Sequence, residues 1–398
     1  METNKNNLKL KQIILDNKIN RIEQIVNDCS NMFYYPVEDQ QKLRLEAIKT
    51  AFSFHYNNNA FYRSLCQKAN LTPNDIQSYN DLRLIPLIPI ELFNDEKSNA
   101  MMSLPLEYKQ LELHLSGRSG SHVVAYRDSV SNELAITTIS LLFIEMLDMR
   151  FHASPIVVYF TPSIVSAPNL GMLRGMGIMG GIYADRFFVV ENEDFKFKET
   201  TEYIRQWVDK LPIYFVGPPF IINFYIEYLK ANNIHLELSE NGRIVTIGGW
   251  KRHTGDMIIR EDFTRKCCNQ LGITPDQCRD IYGFIETNQM SIECNKGKKH
   301  IPPFIEMYAC DLHDISSFVK TETEGAIALL DPTIITYPGF ILTRDVGIIR
   351  KDILCDCGRK SDIVEIIGRV KRSEDINCAI TLDQYLSGVT DTINHGYK

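Results

Sequence analysis

The sequence predicts an α/β fold with a helical N-terminal region and a smaller β subdomain. From about residue 110 onward, short runs rich in β-branched and aromatic residues alternate with helical patterns, as expected for a sheet whose strands are connected by helices. The runs occupy residues 156–160, 187–190, 213–216 and 244–247, and a clear helical pattern occupies residues 220–232. After about residue 300, strand-like runs separated by turn residues predict the β subdomain, at residues 326–330, 340–343 and 346–349.

The N-terminal part of the chain has apolar positions at helical spacing, which predicts mainly helices over residues 8–80. Pro86 and Pro89 stand three apart in the next segment and exclude a regular helix there, so this segment is an extended connector. We therefore expect three parts. They are a helical N-terminal region at residues 1–100, a core with the β subdomain at residues 101–367, and a short C-terminal tail or lid at residues 368–398.

The charge distribution favours small-molecule chemistry. The 43 basic and 50 acidic residues give a net charge of -7 without a basic block, which excludes the electrostatic signature of a protein that binds nucleic acid or an anionic membrane. The most apolar run, residues 134–147, is too short to cross a bilayer and contains Glu145, so it predicts a buried helix. The N-terminal segment lacks the features of a secretion signal, which predicts a soluble cytoplasmic protein.

The ten cysteines of a cytoplasmic chain are expected to be reduced thiols, metal ligands or a nucleophile. Five residues separate Cys294 from His300, and one separates Cys355 from Cys357, which gives four ligands suited to a tetrahedral structural zinc ion. Buried thiols are the alternative interpretation. Cys378 stands near the C-terminus, where it is either an inert cysteine or a thiol on a mobile tail that reaches an active site.

A loop with two glycines, Ser116-Gly117-Arg118-Ser119-Gly120, has the hydroxyl and amide groups to surround phosphate oxygens. It lacks the lysine of a nucleotide-binding P-loop and the third glycine of a dinucleotide-binding fingerprint. A plain surface turn is the alternative.

Three further candidates stand at predicted strand ends. Gly248 and Gly249 follow a strand, at the position where an open α/β sheet brings ligands against the backbone. Tyr282 precedes a glycine turn that ends in Glu286, a carboxylate that could hold Mg²⁺ against phosphates. Asp345 is expected at a strand end, where it could accept hydrogen bonds from two ribose hydroxyls. Ordinary turn residues are the alternative in each case.

In chain order these segments resemble the adenylate-forming (ANL) enzyme superfamily, and most closely the acyl-protein synthetases of bacterial luminescence, the LuxE type. Phenylacetate-CoA ligases are nearer cousins than other members. The resemblance runs from about residue 40 to the end and rests on an ordered set of motifs at residues 116–120, 127–128, 248–251, 279–286, 300–303, 337–347 and 378–380.

The resemblance implies a large ANL-type domain with a short C-terminal lid or tail, and a role for each motif. Phosphate binding is implied for Ser116, Gly117, Ser119 and Gly120. Gly248 and Gly249 are implied to lie beside the adenine or acyl group, and Tyr282 to pack against the base. Glu286 is implied to bind Mg²⁺, Asp345 to bind ribose, and Arg369 to be the hinge arginine that meets ATP. Cys378 is implied to take the acyl group as a thioester and to pass it to a partner acyl reductase or carrier protein.

The implied activity is ATP-dependent conversion of a carboxylic acid, a fatty acid by resemblance, to an acyl-adenylate, followed by transfer to a thiol. Arg118 and Ile285 depart from the threonines that are usual at these two positions, and the insert at residues 355–359 resembles phenylacetate-type ligases whose cysteines bind zinc. The chain also lacks the full C-terminal domain of typical superfamily ligases. The alternatives are therefore an acyl- or aryl-CoA ligase and a non-catalytic adenylation-fold subunit.

Overall fold

The computed structural model describes residues 2–93, 101–116, 122–149, 153–163, 182–191, 194–248, 258–314 and 317–369. The chain divides into two compact units. The first unit comprises Met1–Thr138, Phe284–Gln289 and His300–Lys398, and the second unit comprises Ile139–Gly283 and Met290–Lys299. The predicted domain bounds at residues 100 and 367 stay a prediction.

The described helices confirm the helical N-terminal region and the helices expected between strands. They are α1 (Glu2–Asp16), α2 (Asn20–Asn27), α3 (Cys29–Met32), α4 (Val37–Asn58), α5 (Ala60–Lys68), α6 (Ser129–Met146), α7 (Phe197–Trp207), α8 (Pro219–Ala231) and α9 (Arg260–Leu271). The apolar run at residues 134–147 lies almost wholly in α6, where Leu134, Leu142 and Phe143 are buried, as predicted. Among the described helices, none combines the length and apolar character that crossing a membrane requires.

The described strands agree with the predicted runs and extend most of them. They are β1 (Ile88–Pro89), β2 (Leu111–Ser116), β3 (His122–Arg127), β4 (Ile156–Pro162), β5 (Asp185–Glu191), β6 (Asp194–Phe195), β7 (Ile213–Gly217), β8 (Arg243–Ile247), β9 (Cys278–Gly283), β10 (Met290–Glu293), β11 (Lys299–His300), β12 (Glu306–Cys310), β13 (Glu324–Leu330), β14 (Phe340–Leu354) and β15 (Lys360–Arg369).

A parallel sheet forms the centre of the second unit. Strands β5, β4, β7, β8 and β9 lie side by side in this order and run parallel, and β6 and β10 pair antiparallel with β5 and β9. The central strands β4 and β7 are nearly continuous buried apolar runs, as is typical of a parallel sheet that helices cover on its faces. Phe160, Phe215 and Tyr225 of α8 form the aromatic part of the core, with ring centroids 5.0 to 5.8 Å apart.

An antiparallel sheet dominates the strands of the first unit. Strands β12, β13, β14 and β15 pair antiparallel in sequence order, β1 joins β14 in parallel, and β2 and β3 form a separate hairpin. Gly325 and Gly347 face each other across β13 and β14. A Cβ atom at Gly325 would meet the backbone carbonyl of Cys310, and one at Gly347 would meet that of Glu365, so both positions require glycine.

The strand assignment around Asp345 differs from the prediction. Residues 340–343 and 346–349 were expected as two strands with Asp345 at a strand end, but β14 runs unbroken from Phe340 to Leu354. The strand continues through Asp345 because this residue pairs with Arg369 of β15. The pairing register between β14 and β15 shifts between Val346 and Gly347. The polar residues that resemble a turn in the sequence are therefore strand residues.

A buried charge network joins α4 to the antiparallel sheet within the first unit. Nη1 of Arg44 donates to Glu306 at 2.6 Å, to Asp362 at 2.8 Å and to Tyr79 at 2.8 Å, and Lys351 binds the same two carboxylates. Burial alone raises the pKa of Asp362, but attraction from Lys351 and Arg44 outweighs it and holds the pKa below its usual range. The carboxylates and the cations of this network therefore stabilise one another.

We expect Arg44→Met to lower the free energy of unfolding by about 3 kcal/mol or more, because it leaves part of a buried carboxylate charge uncompensated. Arg21 provides a matched control, since its ion pair with Glu46 is about 40% exposed on both sides. Arg21→Met should cost less than about 1 kcal/mol. Urea unfolding of both variants measures the difference, and equal losses would contradict the assigned role of the network.

Candidate functional site

The turn that follows β9, Phe284–Gln289, carries Glu286, and we call it the Glu286 turn. Glu286 is 3% exposed, and its Oε2 has no hydrogen-bond partner among the described residues. Burial raises the pKa of Glu286 to about 7, although attraction from Arg127 and Arg369 opposes this shift. A buried carboxylate oxygen without a hydrogen-bond partner is costly for folding, so the environment of Glu286 fits a functional group better than a structural one.

A second segment, residues 331–339 between β13 and β14, lies against this turn, and we call it the Asp331 loop. The carboxylate of Asp331 accepts hydrogen bonds from the backbone N–H groups of Asn288, at 2.8 Å, and of Thr333, at 2.9 Å. The hydroxyl of Tyr337 donates to the backbone carbonyl of Glu286 at 2.9 Å. The loop therefore holds the Glu286 turn at Glu286 itself and at Asn288, two residues later.

The first turn of α6 is fixed to the same loop. Asp128 caps the helix by accepting from the backbone N–H groups of Val130 and Ser131, at 2.8 and 3.0 Å. Thr336 of the Asp331 loop donates its hydroxyl to the same carboxylate at 2.6 Å. The Arg127-Asp128 pair at the end of β3 thus stands where three segments of the first unit meet.

Asp345 and Arg369 face each other across β14 and β15. Nε of Arg369 donates to Oδ1 of Asp345 at 2.8 Å. The Asp345 side chain is 12% exposed, whereas that of Arg369 is 71% exposed, so the carboxylate is anchored and the guanidinium is accessible to solvent. Two residues that the sequence assigned to nucleotide binding are therefore brought into contact.

Gly248 and Tyr282 lie together in the second unit. Strands β8 and β9 are parallel with Ile247 opposite Ile281, so Gly248 and Tyr282 follow at the same end of neighbouring strands. Gly248 has a φ of 87°, a conformation that favours glycine. This is the strand-end arrangement expected for a ligand-binding edge of a parallel sheet.

The residues predicted to bind a metal ion form one cluster. Their ligand atoms all lie within 4.8 Å of one another, and the four residues are Cys294, His300, Cys355 and Cys357. Three are buried and Cys357 is half-buried. Three thiols and one imidazole at this separation are a donor set that fits a tetrahedral zinc ion.

Two turns of the same construction carry the cysteines. The N–H of Gly297 donates to the carbonyl of Cys294 at 2.9 Å, and the N–H of Gly358 donates to the carbonyl of Cys355 at 2.8 Å. The two glycines have φ angles of 66° and 87°, which close each turn tightly. The N–H of Lys296 points at the sulfur of Cys294, 3.4 Å away, as suits a thiolate.

The orientation of His300 also fits a metal ligand. Its Nδ1 lies 2.8 Å from the hydroxyl of Ser361, and this hydroxyl donates to the carbonyl of Asp362 at 3.0 Å. In the tautomer that matches this bond, Nδ1 of His300 donates to the Ser361 hydroxyl and Nε2 keeps the lone pair that a metal ion needs. Nε2 faces Sγ of Cys357 at 3.4 Å. Such a second hydrogen bond fixes the ring of a zinc-binding histidine.

Several predicted site residues lie outside the described residues, namely Gly117, Ser119, Gly120, Gly249 and Cys378. Ser116 is the last residue of β2 and its backbone pairs with His122 of β3. The roles of all predicted site residues stay predictions.

Sequence reasoning missed three residues that shape the site. Asn288, Asp331 and Tyr337 received no role, although Tyr337 lies within a quoted motif. Asp331 directly precedes a proline and could have been read as a turn residue, but its contact with Asn288 joins positions 43 residues apart. No local pattern in the sequence reports such a contact.

The sequence profile of the LuxE family, described as acyl-protein synthetases, matches residues 11–387. The chain belongs to this family. A long-chain-fatty-acid–luciferin-component ligase of Aliivibrio fischeri is 26% identical over 349 residues, which is 87% of this chain and 89% of that protein. The ligase of the same name from Vibrio harveyi is 25% identical over 90% of this chain and 92% of that protein.

Solved structures show the same fold for this LuxE-family chain. A 2-hydroxyisobutyryl-CoA ligase in an open conformation, with 2-HIB-AMP and CoA, aligns with a TM-score of 0.65 and 13% identity over 87% of this chain and 79% of that chain. The same ligase in its thioesterification state aligns with a TM-score of 0.67 and 12% identity over 90% of this chain and 74% of that chain. The predicted adenylate-forming fold and the predicted ligase class are confirmed.

The raised pKa of Glu286 predicts a pH-dependent stability difference between the wild type and Glu286→Gln. Because the folded protein holds this proton up to about pH 7 and the unfolded chain releases it near pH 4.5, the wild type loses stability as pH rises through this window. Relative to Glu286→Gln, it should lose on the order of 3 kcal/mol between pH 4.5 and pH 8. Urea unfolding without Mg²⁺ or nucleotide measures this. A difference that stays constant with pH would show that Glu286 is ionised normally.

Proposed function

We propose that the protein uses ATP to convert a long-chain fatty acid to its acyl-adenylate and then transfers the acyl group to the thiol of Cys378. A partner acyl reductase or carrier protein would receive it from there. Membership of the acyl-protein synthetase family supports this proposal, as do two relatives that are named ligases of long-chain fatty acids. The 2-hydroxyisobutyryl-CoA ligase of the same fold was solved with an acyl-adenylate.

The carboxylate of Glu286 is the observation that carries the proposal. Its Oε2 is buried without a hydrogen-bond partner among the described residues, and a hard oxygen ligand of this kind fits Mg²⁺. When bound, Mg²⁺ would offset the negative charge of the ATP phosphates. The family resemblance assigns the same role to Glu286.

Other residues would hold the nucleotide around this carboxylate. Asp345 would accept from the ribose hydroxyls, and the exposed guanidinium of Arg369, which donates to Asp345, would contact ATP. The loop with Ser116, Gly117, Ser119 and Gly120 would surround the phosphates. Gly248 and Gly249 would border the adenine or the acyl group, and Tyr282 would pack against the base. The strand-end position of Gly248 and Tyr282 in the parallel sheet supports this.

Two displacements complete the reaction. A carboxylate oxygen of the fatty acid attacks the α-phosphorus of ATP, the bond to pyrophosphate breaks, and acyl-AMP forms. The thiolate of Cys378 then attacks the acyl carbon, a thioester bond forms, and AMP leaves with the carboxylate oxygen while the thiol proton passes to solvent. Sulfur is nucleophilic enough for the second step without a dedicated base.

Free CoA is the alternative acceptor, because the solved 2-hydroxyisobutyryl-CoA ligase of the same fold was crystallised with CoA. Incubation with ATP, a labelled fatty acid and CoA separates the two cases by the product, acyl-CoA or acyl-protein. If no fatty acid of a broad panel releases pyrophosphate, the protein is instead a non-catalytic adenylation-fold subunit.

We also propose a structural zinc ion bound by the cluster of Cys294, His300, Cys355 and Cys357. The two matching turns and the hydrogen bond from His300 to Ser361 support it. Four protein ligands leave no open position on a tetrahedral ion, so the zinc would stabilise the fold and take no part in the chemistry.

Cys378→Ala should still release pyrophosphate in the presence of a fatty acid, because the nucleotide-binding residues are untouched, but should not become labelled by radioactive fatty acid. Wild-type protein should carry the label in a bond that neutral hydroxylamine cleaves, as expected of a thioester. Cys378→Ser should be far less effective, since a hydroxyl without an adjacent base is a poor nucleophile.

Cys268→Ala is the matched control, because Cys268 is a half-buried thiol on α9. It should be labelled as well as the wild type. Full labelling of Cys378→Ala would exclude transfer through this residue and make free CoA the leading acceptor.

Purified protein should contain about one equivalent of zinc, and Cys355→Ala should lose the metal and unfold more easily. Cys310→Ala is the control, since Cys310 is equally buried in the first unit but lies on β12 outside the cluster. It should retain zinc. Elemental analysis and thermal unfolding measure both properties. If wild-type protein is purified without zinc and added zinc does not raise its unfolding temperature, the zinc site is ruled out.

A further inference from the structure

The side chain of Arg127 is fully enclosed and uses all of its hydrogen-bond donors. Arg127 is 2% exposed. Its two Nη2 bonds reach the carbonyls of Ile285, at 2.7 Å, and Thr287, at 3.0 Å, and Nε donates to the side-chain oxygen of Asn288 at 3.0 Å. Nη1 donates to the carbonyl of Tyr126 at 2.9 Å and to the hydroxyl of Tyr337 at 2.6 Å. All five acceptors are uncharged oxygens.

These contacts hold the backbone on both sides of Glu286. Arg127 donates hydrogen bonds to the carbonyl oxygens of Ile285 and Thr287. The hydroxyl of Tyr337 donates a hydrogen bond to the carbonyl oxygen of Glu286, which lies between them in the chain. Three consecutive carbonyl groups are therefore fixed by two linked side chains. The direction in which Glu286 presents its carboxyl group depends on this arrangement, because the described residues give its Oε2 no hydrogen bond.

The Glu286 turn and Arg127 are also connected to other segments of the first unit. The side-chain amide of Asn288 donates to the carbonyl of Ser131 at 2.9 Å, and its backbone N–H is bound by Asp331. Arg127 itself directly precedes Asp128, which caps α6. A shift of the guanidinium would therefore move the Glu286 turn relative to α6 and the Asp331 loop.

We propose that Arg127 is a positioning residue for adenylation: it holds the Glu286 turn so that the carboxylate of Glu286 can bind Mg²⁺ with ATP. This role rests on the proposed function of Glu286. Arg127 acts through the turn and needs no contact with the substrates. Its planar fork donates five hydrogen bonds from three nitrogens, three of them to the Glu286 turn, whereas a lysine has three donors on a single nitrogen.

Arg127→Lys tests this role because it keeps the charge and removes the fork. In acid-dependent ATP–pyrophosphate exchange, we expect the half-saturating Mg²⁺ concentration to rise by about tenfold or more, the usual effect of removing a group that orients a metal ligand. Transfer from synthetic acyl-AMP to the protein thiol bypasses adenylation, so its rate should remain that of the wild type. An unchanged Mg²⁺ requirement would overturn the proposal.

Arg44→Lys is the matched control. Arg44 is as deeply buried in the same unit, binds four acceptors and lies in the charge network of α4. This variant should lose stability while its half-saturating Mg²⁺ concentration stays that of the wild type. If both lysine variants shift the Mg²⁺ requirement equally, Arg127 is a structural residue only.

Tyr337→Phe supplies the same test with a smaller change in case Arg127→Lys does not fold. It removes only the hydroxyl that links Arg127 to the carbonyl of Glu286. The Mg²⁺ requirement should rise in the same direction by a smaller factor. The positioning role of Arg127 is contradicted if Tyr337→Phe is fully folded with the wild-type half-saturating Mg²⁺ concentration, and if Arg127→Lys either does not fold or also has the wild-type value.

A double variant shows whether Arg127 acts through Glu286. If it does, Arg127→Lys with Glu286→Gln should lose no more adenylation than Glu286→Gln alone, whereas independent roles give additive losses. The two proposals fail separately. A wild type without acid-dependent exchange refutes the proposed function, and an active wild type with additive losses in the double variant refutes only the positioning role.

Discussion

The buried guanidinium of Arg127 is the constraint on which the site depends. Enclosing a cation away from water costs several kcal/mol unless its donors are satisfied. The acceptors come from the end of β3, from the Glu286 turn and from Tyr337 of the Asp331 loop, and Tyr337 lies 210 residues from Arg127 in the chain. The fold can bury Arg127 only if these three segments meet, and their meeting leaves Glu286 with a buried carboxyl oxygen that accepts no hydrogen bond from the described residues.

The remaining polar features of the first unit form a connected support. His300 of the metal-binding cluster contacts Ser361, whose hydroxyl donates to the carbonyl of Asp362, and the carboxylate of Asp362 binds Arg44 and Lys351. The proposed zinc site and the buried charge network therefore share one short stretch of β15. The same strand ends at Arg369, beside Asp345. A zinc ion at the proposed site would therefore stabilise the strand that carries a proposed nucleotide contact.

Local features of the site could be predicted from the sequence, and long-range ones could not. The turn after β9 and the proximity of the cysteines and His300 could be predicted because glycine, cysteine and histidine spacing reports local geometry, and the ordered motifs identified the family. Asp345 was misplaced at a strand end because its pairing with Arg369 lies 24 residues away. The Arg127-Asp128 pair was noted only as part of the resemblance. Its contacts with the Glu286 turn join residues about 160 apart, which neither periodicity nor composition can indicate.

The central claim is that the site joins a carboxylate oxygen of a fatty acid to the α-phosphorus of ATP. The most direct test uses a fatty acid whose two carboxylate oxygens are oxygen-18, incubated with ATP, Mg²⁺ and the full-length protein, followed by mass spectrometry of the nucleotide products. Acyl-adenylate chemistry predicts that each AMP released on transfer to the thiol carries one labelled oxygen on its phosphate and that pyrophosphate carries none. Unlabelled AMP, or ADP with labelled inorganic phosphate, would contradict the account.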